Sequence, residues 1–164
     1  MTADHSPRPR PDAAPLTRDA FRRLHPISEP RPLPVPPERV WTDTEWDRIR
    51  RGYHAWSMDE KWNVFAEGHT LFLHRSTTGR GMYEATFAPV PEGGLRIASA
   101  LVEGDPKRYR SMGDAYDRLM LELVVSAIVL GEPATELRAQ LKELSRPGAA
   151  AAFEHSALGL RSKT

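Results

Sequence analysis

"KWNVFAEGHTLFLHRSTTGRGMYEATFAP", residues 61–89, decides the fold. It breaks into three runs, 61–67, 70–76 and 81–89, each partly β-branched or aromatic and divided from the next by a turn bearing Gly68 or Gly79. That is the pattern of strands joined by tight turns. A fourth run, "LRIASALVE" at 95–103, follows Gly93 and Gly94. Connections this short force antiparallel neighbours, because a parallel crossover needs about a dozen residues. The spacing predicts a four-stranded antiparallel meander.

Helical patterns stand on both sides of it. Upstream, in "WTDTEWDRIRRGYHAW", Thr42 and Glu45 make a capping box, and Trp46, Ile49 and Tyr53 recur at helical spacing. A helix of about three turns is expected there. Downstream, "SMGDAYDRLMLELVVSAIVLG" reads as the main core helix, capped by Ser111, with Asp114 and Asp117 near its positive end and Gly131 closing it. A last helix, "PATELRAQLKELS", opens at Pro133 and carries Leu137, Leu141 and Leu144 as one stripe. The class is therefore α+β: a meander flanked by an N-terminal helix and packed on two C-terminal helices, spanning 41–146 as a single domain.

Ten of the 15 prolines fall within residues 1–40, where apolar side chains are sparse. That segment reads as an extended or disordered proline-rich arm that adds little core and offers a protein partner a place to bind. Residues 147–164 read as a flexible or weakly helical, alanine-rich tail. The formal net charge of the chain is only +1, which gives no sign of a nucleic-acid binder. Cysteine is absent, so disulfides, thiolate metal sites and a cysteine nucleophile are excluded. The longest apolar stretch, 119–130, is 12 residues long with Glu122 inside it, too short to span a bilayer. With no secretory pattern at the N-terminus, a cytoplasmic protein without a membrane partner is expected. Neither a metal-ligand cluster nor a cofactor fingerprint is present.

The chemistry concentrates in "HRSTTGRGMYE", residues 74–84. Gly79 permits a positive backbone angle, which lets neighbouring amides converge on an anion. Ser76, Thr77 and Thr78 add hydroxyls, and Arg75 and Arg80 add forks suited to phosphate. A phosphorylated small molecule is the natural guest of such a loop, although the same residues also make ordinary hairpin tips. Strand alternation places His74, Ser76, Glu84 and Thr86 on one side if the register permits, which makes His74 and Glu84 candidates for acid–base catalysis or a surface pair. Trp62, with Trp56, offers a stacking wall or a core anchor, and Lys61 stands beside it.

Over 58–87 the chain resembles a poorly characterised bacterial family. Its members show an E-K-W strand, an F-x-H-R-S-x-T-G strand and a Y-E strand. The matching residues here are Glu60, Lys61 and Trp62, then Phe72, His74, Arg75, Ser76, Thr78 and Gly79, then Tyr83 and Glu84. A "D-x-x-L" helix ending in "LLG" matches at Asp117, Leu130 and Gly131, which extends the likeness to about 55–131. Where relatives often carry an aromatic, this chain has Thr77, which puts stacking at that position in doubt. Members occur alone or beside domains that handle ADP-ribose, such as macrodomains and ADP-ribosylglycohydrolases. The resemblance implies a small binding or accessory domain for a phosphorylated, nucleotide-like ligand, with ADP-ribose or an ADP-ribosylated group as its finer form. Lys61, Trp62, His74, Arg75, Ser76, Thr78, Gly79, Tyr83 and Glu84 are then the candidate site. Two alternatives stand beside it: a small enzyme using His74 and Glu84 on such a ligand, and an antitoxin or immunity-like interaction module with no small-molecule site.

Overall fold

A computed structural model describes residues 14–144 and 157–161. It is an α+β structure built on one antiparallel sheet of six strands, two more than the sequence predicts. The strands are β1 (Pro30–Pro32), β2 (Val40–Trp41), β3 (Trp62–Glu67), β4 (Thr70–Arg75), β5 (Gly81–Pro89) and β6 (Leu95–Glu103). The order across the sheet is β1-β6-β5-β4-β3, and β2 also pairs with β6. β1 meets the far end of β6 at 101–103 and β2 its beginning at 95–96, so the two arm strands share one edge.

The arm from residue 14 onwards therefore corrects the expectation of an extended or disordered segment. Phe21 and Leu33 are buried, and the Leu33 amide donates to the Ala100 carbonyl at 2.9 Å. The prolines are compatible with this because β1 lies at the sheet edge, where a residue without an N–H leaves no ladder bond unmade. Buried Glu103, at the end of β6, fastens the arm by accepting from the Ser28 amide at 2.7 Å, the Ser28 hydroxyl at 2.8 Å and the Glu29 amide at 3.2 Å. Part of the tail is fastened as well. Leu158 is buried, and Gly159 bridges to Glu60. Residues 1–13, 145–156 and 162–164, over which the arm and tail readings also extend, lie outside the described residues.

Helix α1 (Asp43–Ile49) is shorter than its hydrophobic spacing suggests, since the turn closes at Gly52, where φ is +80°. Its capping box forms: the Glu45 amide donates to Thr42 Oγ1 at 3.0 Å and the Thr42 amide to Glu45 Oε1 at 2.8 Å. Helix α2 (Asp114–Leu123) starts after Gly113 rather than at Ser111. The Ser111 hydroxyl is instead donated to Asp117. The helix continues as a wide π-helical segment, Val124–Val129, all of whose residues are buried. This agrees with an apolar pattern that runs nearly all round. Helix α3 (Thr135–Leu144) packs beside α2 through buried Leu141, while Leu144 is exposed.

The sheet has two unlike faces. Val64, Leu71, Leu73, Tyr83, Ala85, Phe87, Ile97 and Val102 form the core face beneath the helices. On the reverse face Phe65 and Phe72 stack with centroids 5.0 Å apart. Phe21 and the Arg18 guanidinium, both from the arm, cover them.

Candidate functional site

Four elements converge at the end of the sheet where the β4–β5 hairpin turns. They enclose a pocket of about 380 Å³ between the hairpin tip, the β6–α2 connection, the first turns of α2 and the returning tail. Trp62, Tyr83, Tyr109 and Tyr116 supply aromatic wall, and Arg75, Arg80, Arg108 and Arg110 supply positive charge. Trp62 and Tyr83 lie nearly parallel at 5.9 Å because both sit on the core face at neighbouring positions of the sheet. The Arg75 guanidinium lies 4.9 Å from the Trp62 ring centroid and donates through Nη1 to the Ala157 carbonyl at 2.5 Å. Burial pulls its pKa below the ordinary arginine value, against Tyr83, Tyr116 and Tyr109, which act to raise it.

Behind this wall is Asp117, 0 % exposed. The Tyr83 hydroxyl donates to its Oδ1 at 3.0 Å, the Tyr109 hydroxyl donates to the same oxygen, and Ser111 and Arg31 donate to Oδ2. A buried carboxylate needs this many donors to offset its desolvation. Burial, reinforced by Asp117, pushes the Tyr83, Tyr109 and Tyr116 phenols up, so they remain protonated hydrogen-bond donors throughout the physiological range. Arg31 comes from β1, which ties the arm to the wall of the pocket.

Among the described residues nothing neutralises the charge at the mouth. Arg80 and Arg110 are exposed, and neither side chain makes a hydrogen bond or ion pair among the described residues. Arg108 donates to the Pro26 carbonyl at 3.3 Å and to no other group among the described residues. Among the described residues no carboxylate lines the pocket, since Asp117 is recessed behind the tyrosines.

Of the nine residues of the candidate site, Trp62, Arg75, Thr78 and Tyr83 line this pocket, and the other five do not; Thr77 and Arg80 of the same loop line it too. Lys61 Nζ donates to the Met58 carbonyl at 2.6 Å. The Ser76 hydroxyl donates to the Glu60 carbonyl at 2.7 Å. The anion nest expected at Gly79 is not formed, because its amide donates to Arg75 O at 2.8 Å and the Gly81 amide to His25 O at 2.8 Å. Those glycines serve the arm: a Cβ at Gly79 would strike the Arg23 carbonyl, and the His25 amide donates to the Gly79 carbonyl at 2.8 Å.

The His74–Glu84 pair is likewise not assembled. Across the sheet Glu84 faces Phe72, and His74 faces Gly81 after a bulge. His74 is 2 % exposed, packs on Phe65 and places Nδ1 2.8 Å from Gly79 O. Burial lowers its pKa, outweighing that bond, and burial raises the pKa of Glu84. No hydrogen bond joins the two.

Sequence reasoning missed Arg108, Tyr109, Arg110 and Tyr116. A signal was present in "KRYRSM" (107–112), where basic residues flank an aromatic just before a helix. Among the described residues no group of three or more His, Cys, Asp or Glu side chains stands together as metal ligands would, and no helix is long and apolar enough to cross a membrane. No protein-family model, curated protein or solved structure matches the chain.

Proposed function

We propose that the pocket binds a small phosphorylated, nucleotide-like ligand, with ADP-ribose or an ADP-ribosylated group as the finer form of the reading. The observation that carries it is the pairing of Arg80 and Arg110, unpartnered among the described residues, with walls made by Trp62, Tyr83, Tyr109 and Tyr116. A planar base or sugar gains most from the aromatic surfaces, and phosphate oxygens from guanidinium forks. The protonated phenols of Tyr83 and Tyr109 add neutral, fixed polarity. A volume of about 380 Å³ lies within the roughly 300–1,000 Å³ of small-molecule sites. The preference for ADP-ribose rests on the family resemblance of the 58–87 segment. Binding is favoured over acid–base catalysis because His74 and Glu84 face away from the pocket and do not meet.

Calorimetry and thermal shift with adenosine monophosphate, ADP-ribose and ribose 5-phosphate test this. A ligand present at 100 times its Kd stabilises the native state by about 2.7 kcal/mol. Arg80→Ala combined with Arg110→Ala should abolish that gain and leave the unliganded melting temperature almost unchanged, because both side chains are exposed. Binding that is unaffected in the double variant, or no response to any phosphorylated compound at millimolar concentration, overturns the proposal.

A further inference from the structure

The tyrosine hydroxyls of the pocket are not alike. Those of Tyr83 and Tyr109 are already committed, since both are donated to Asp117 Oδ1. Tyr116 precedes Asp117 on α2, and successive helix residues point about 100° apart, so its ring leaves the helix in a different direction from the carboxylate. It is 5 % exposed and lines the pocket, yet its hydroxyl makes no hydrogen bond among the described residues. The Tyr116 oxygen is not one of the side-chain atoms that are closed off from solvent without a partner, so it opens on the cavity. A largely buried hydroxyl in this state forgoes a bond that a guest can supply.

The surroundings of that hydroxyl select the part of a ligand that reaches it. Met82 from β5 and Met120 from α2 are both buried and line the same cavity. Their thioethers favour contact with the edge of an aromatic ring. Charge is balanced beside Tyr116: after burial, which raises its phenol most, Asp117 raises it further and Arg75 lowers it, so an anion and a cation both act on one oxygen. The mouth differs, with Arg80 and Arg110 exposed beside Thr77 and Thr78. A phosphate gains there from guanidinium forks while it stays hydrated, and would be repelled beside Asp117. A sugar at the inner end would bury several hydroxyls among methionines with one phenol to serve them. A flat heteroaromatic ring buries carbon faces and offers an acceptor nitrogen or an amino donor at its edge, either of which one hydroxyl satisfies.

We infer that the pocket takes its ligand base first: a nucleobase fills the inner end with its edge hydrogen-bonded to the Tyr116 hydroxyl, and the phosphate stays at the mouth beside Arg80 and Arg110. Tyr116 is then the residue that distinguishes a nucleotide from a bare sugar phosphate. This rests on the reading that the pocket binds a phosphorylated, nucleotide-like ligand.

The test titrates adenosine monophosphate and ribose 5-phosphate calorimetrically into the full chain and into Tyr116→Phe. Adenosine monophosphate should bind the natural chain at least about tenfold more tightly. Tyr116→Phe should weaken it by about three- to tenfold and leave ribose 5-phosphate as it was. The unliganded melting temperature of the variant should not fall, because the hydroxyl has no partner to lose among the described residues. Adenosine monophosphate binding that is unchanged in Tyr116→Phe, or an equal loss for both probes, overturns the base-first inference. So does equal affinity of the natural chain for the two probes, which leaves the phosphate reading of the pocket standing. If neither probe binds, that reading falls too, and this inference with it.

Discussion

Replacing Gly79 with alanine tests whether the arm is truly seated on the hairpin tip, and Gly68→Ala supplies an internal control. Both glycines have positive φ, +76° at Gly79 and +59° at Gly68, and both lie in a strand-to-strand connection. Forcing an L-residue into that region costs about 1–2 kcal/mol at each. Each variant also regains about 0.4–1 kcal/mol from a less flexible unfolded chain. These contributions cancel in the comparison. The surroundings do not cancel, because nothing lies within 4 Å of a Cβ at Gly68, whereas a Cβ at Gly79 would meet the Arg23 carbonyl, whose carbon would be 2.9 Å away. Relieving a backbone clash of this kind costs about 1–3 kcal/mol. Gly79→Ala should therefore lose about 1–3 kcal/mol more than Gly68→Ala in urea unfolding, and trypsin should cut faster at Arg22 and Arg23. Equal losses, within about 0.5 kcal/mol, would refute the docking of the arm on this loop.

Three further outcomes follow from buried groups. The carboxyl of Glu103 is raised by burial, but the donors from Ser28, Asp105 and Glu29 outweigh this and hold it below the ordinary glutamate range. It therefore stabilises the fold above the unfolded value of about 4.3 and loses that contribution as pH falls through its lower folded value; Glu103→Gln should flatten the acid limb of a stability-against-pH curve. Leu123→Ala, at a fully buried position of α2, should cost about 2–5 kcal/mol in chemical denaturation, and a loss below about 0.5 kcal/mol would misplace the helix. Asp117→Ala takes away the acceptor of the Tyr83, Tyr109 and Ser111 hydroxyls, while Arg31 keeps Asp114, and should cost about 1–3 kcal/mol, seen as a lowered midpoint.

The central strands were legible because their signal is local. Alternating apolar residues between Gly68, Gly79 and the Gly93–Gly94 pair fix both length and partner, and the observed Gly81–Pro89 and Leu95–Glu103 match the expected bounds. The arm was misread because composition was the only signal. Nothing within residues 14–40 reveals that Glu103 and Gly79 will accept them. The site was half legible for a related reason. Trp62, Arg75, Thr78 and Tyr83 lie on strands and a hairpin whose pairing can be inferred. Arg108, Tyr109, Arg110 and Tyr116 arrive through the path of the chain after β6, which periodicity does not describe. The acid–base pair failed on register, since the bulge between Leu73 and His74 sets His74 opposite Gly81 while Glu84 stays opposite Phe72.

The buried carboxylate at the end of β6 also has a meaning in time. Ser28 and Glu103 are separated by 75 positions, so a chain growing on the ribosome exposes the arm long before its anchor exists. At roughly 5–20 residues per second the interval is about 4–15 s. Throughout it the Phe21 ring has no Phe65 to cover at first and later no fixed arm to hold it there. A proline-rich segment suits that wait, because it resists both helix formation and premature strand pairing while it remains unbound. The residues that look least like structure are thus the ones best able to stay unentangled until the last strand of the sheet has been made.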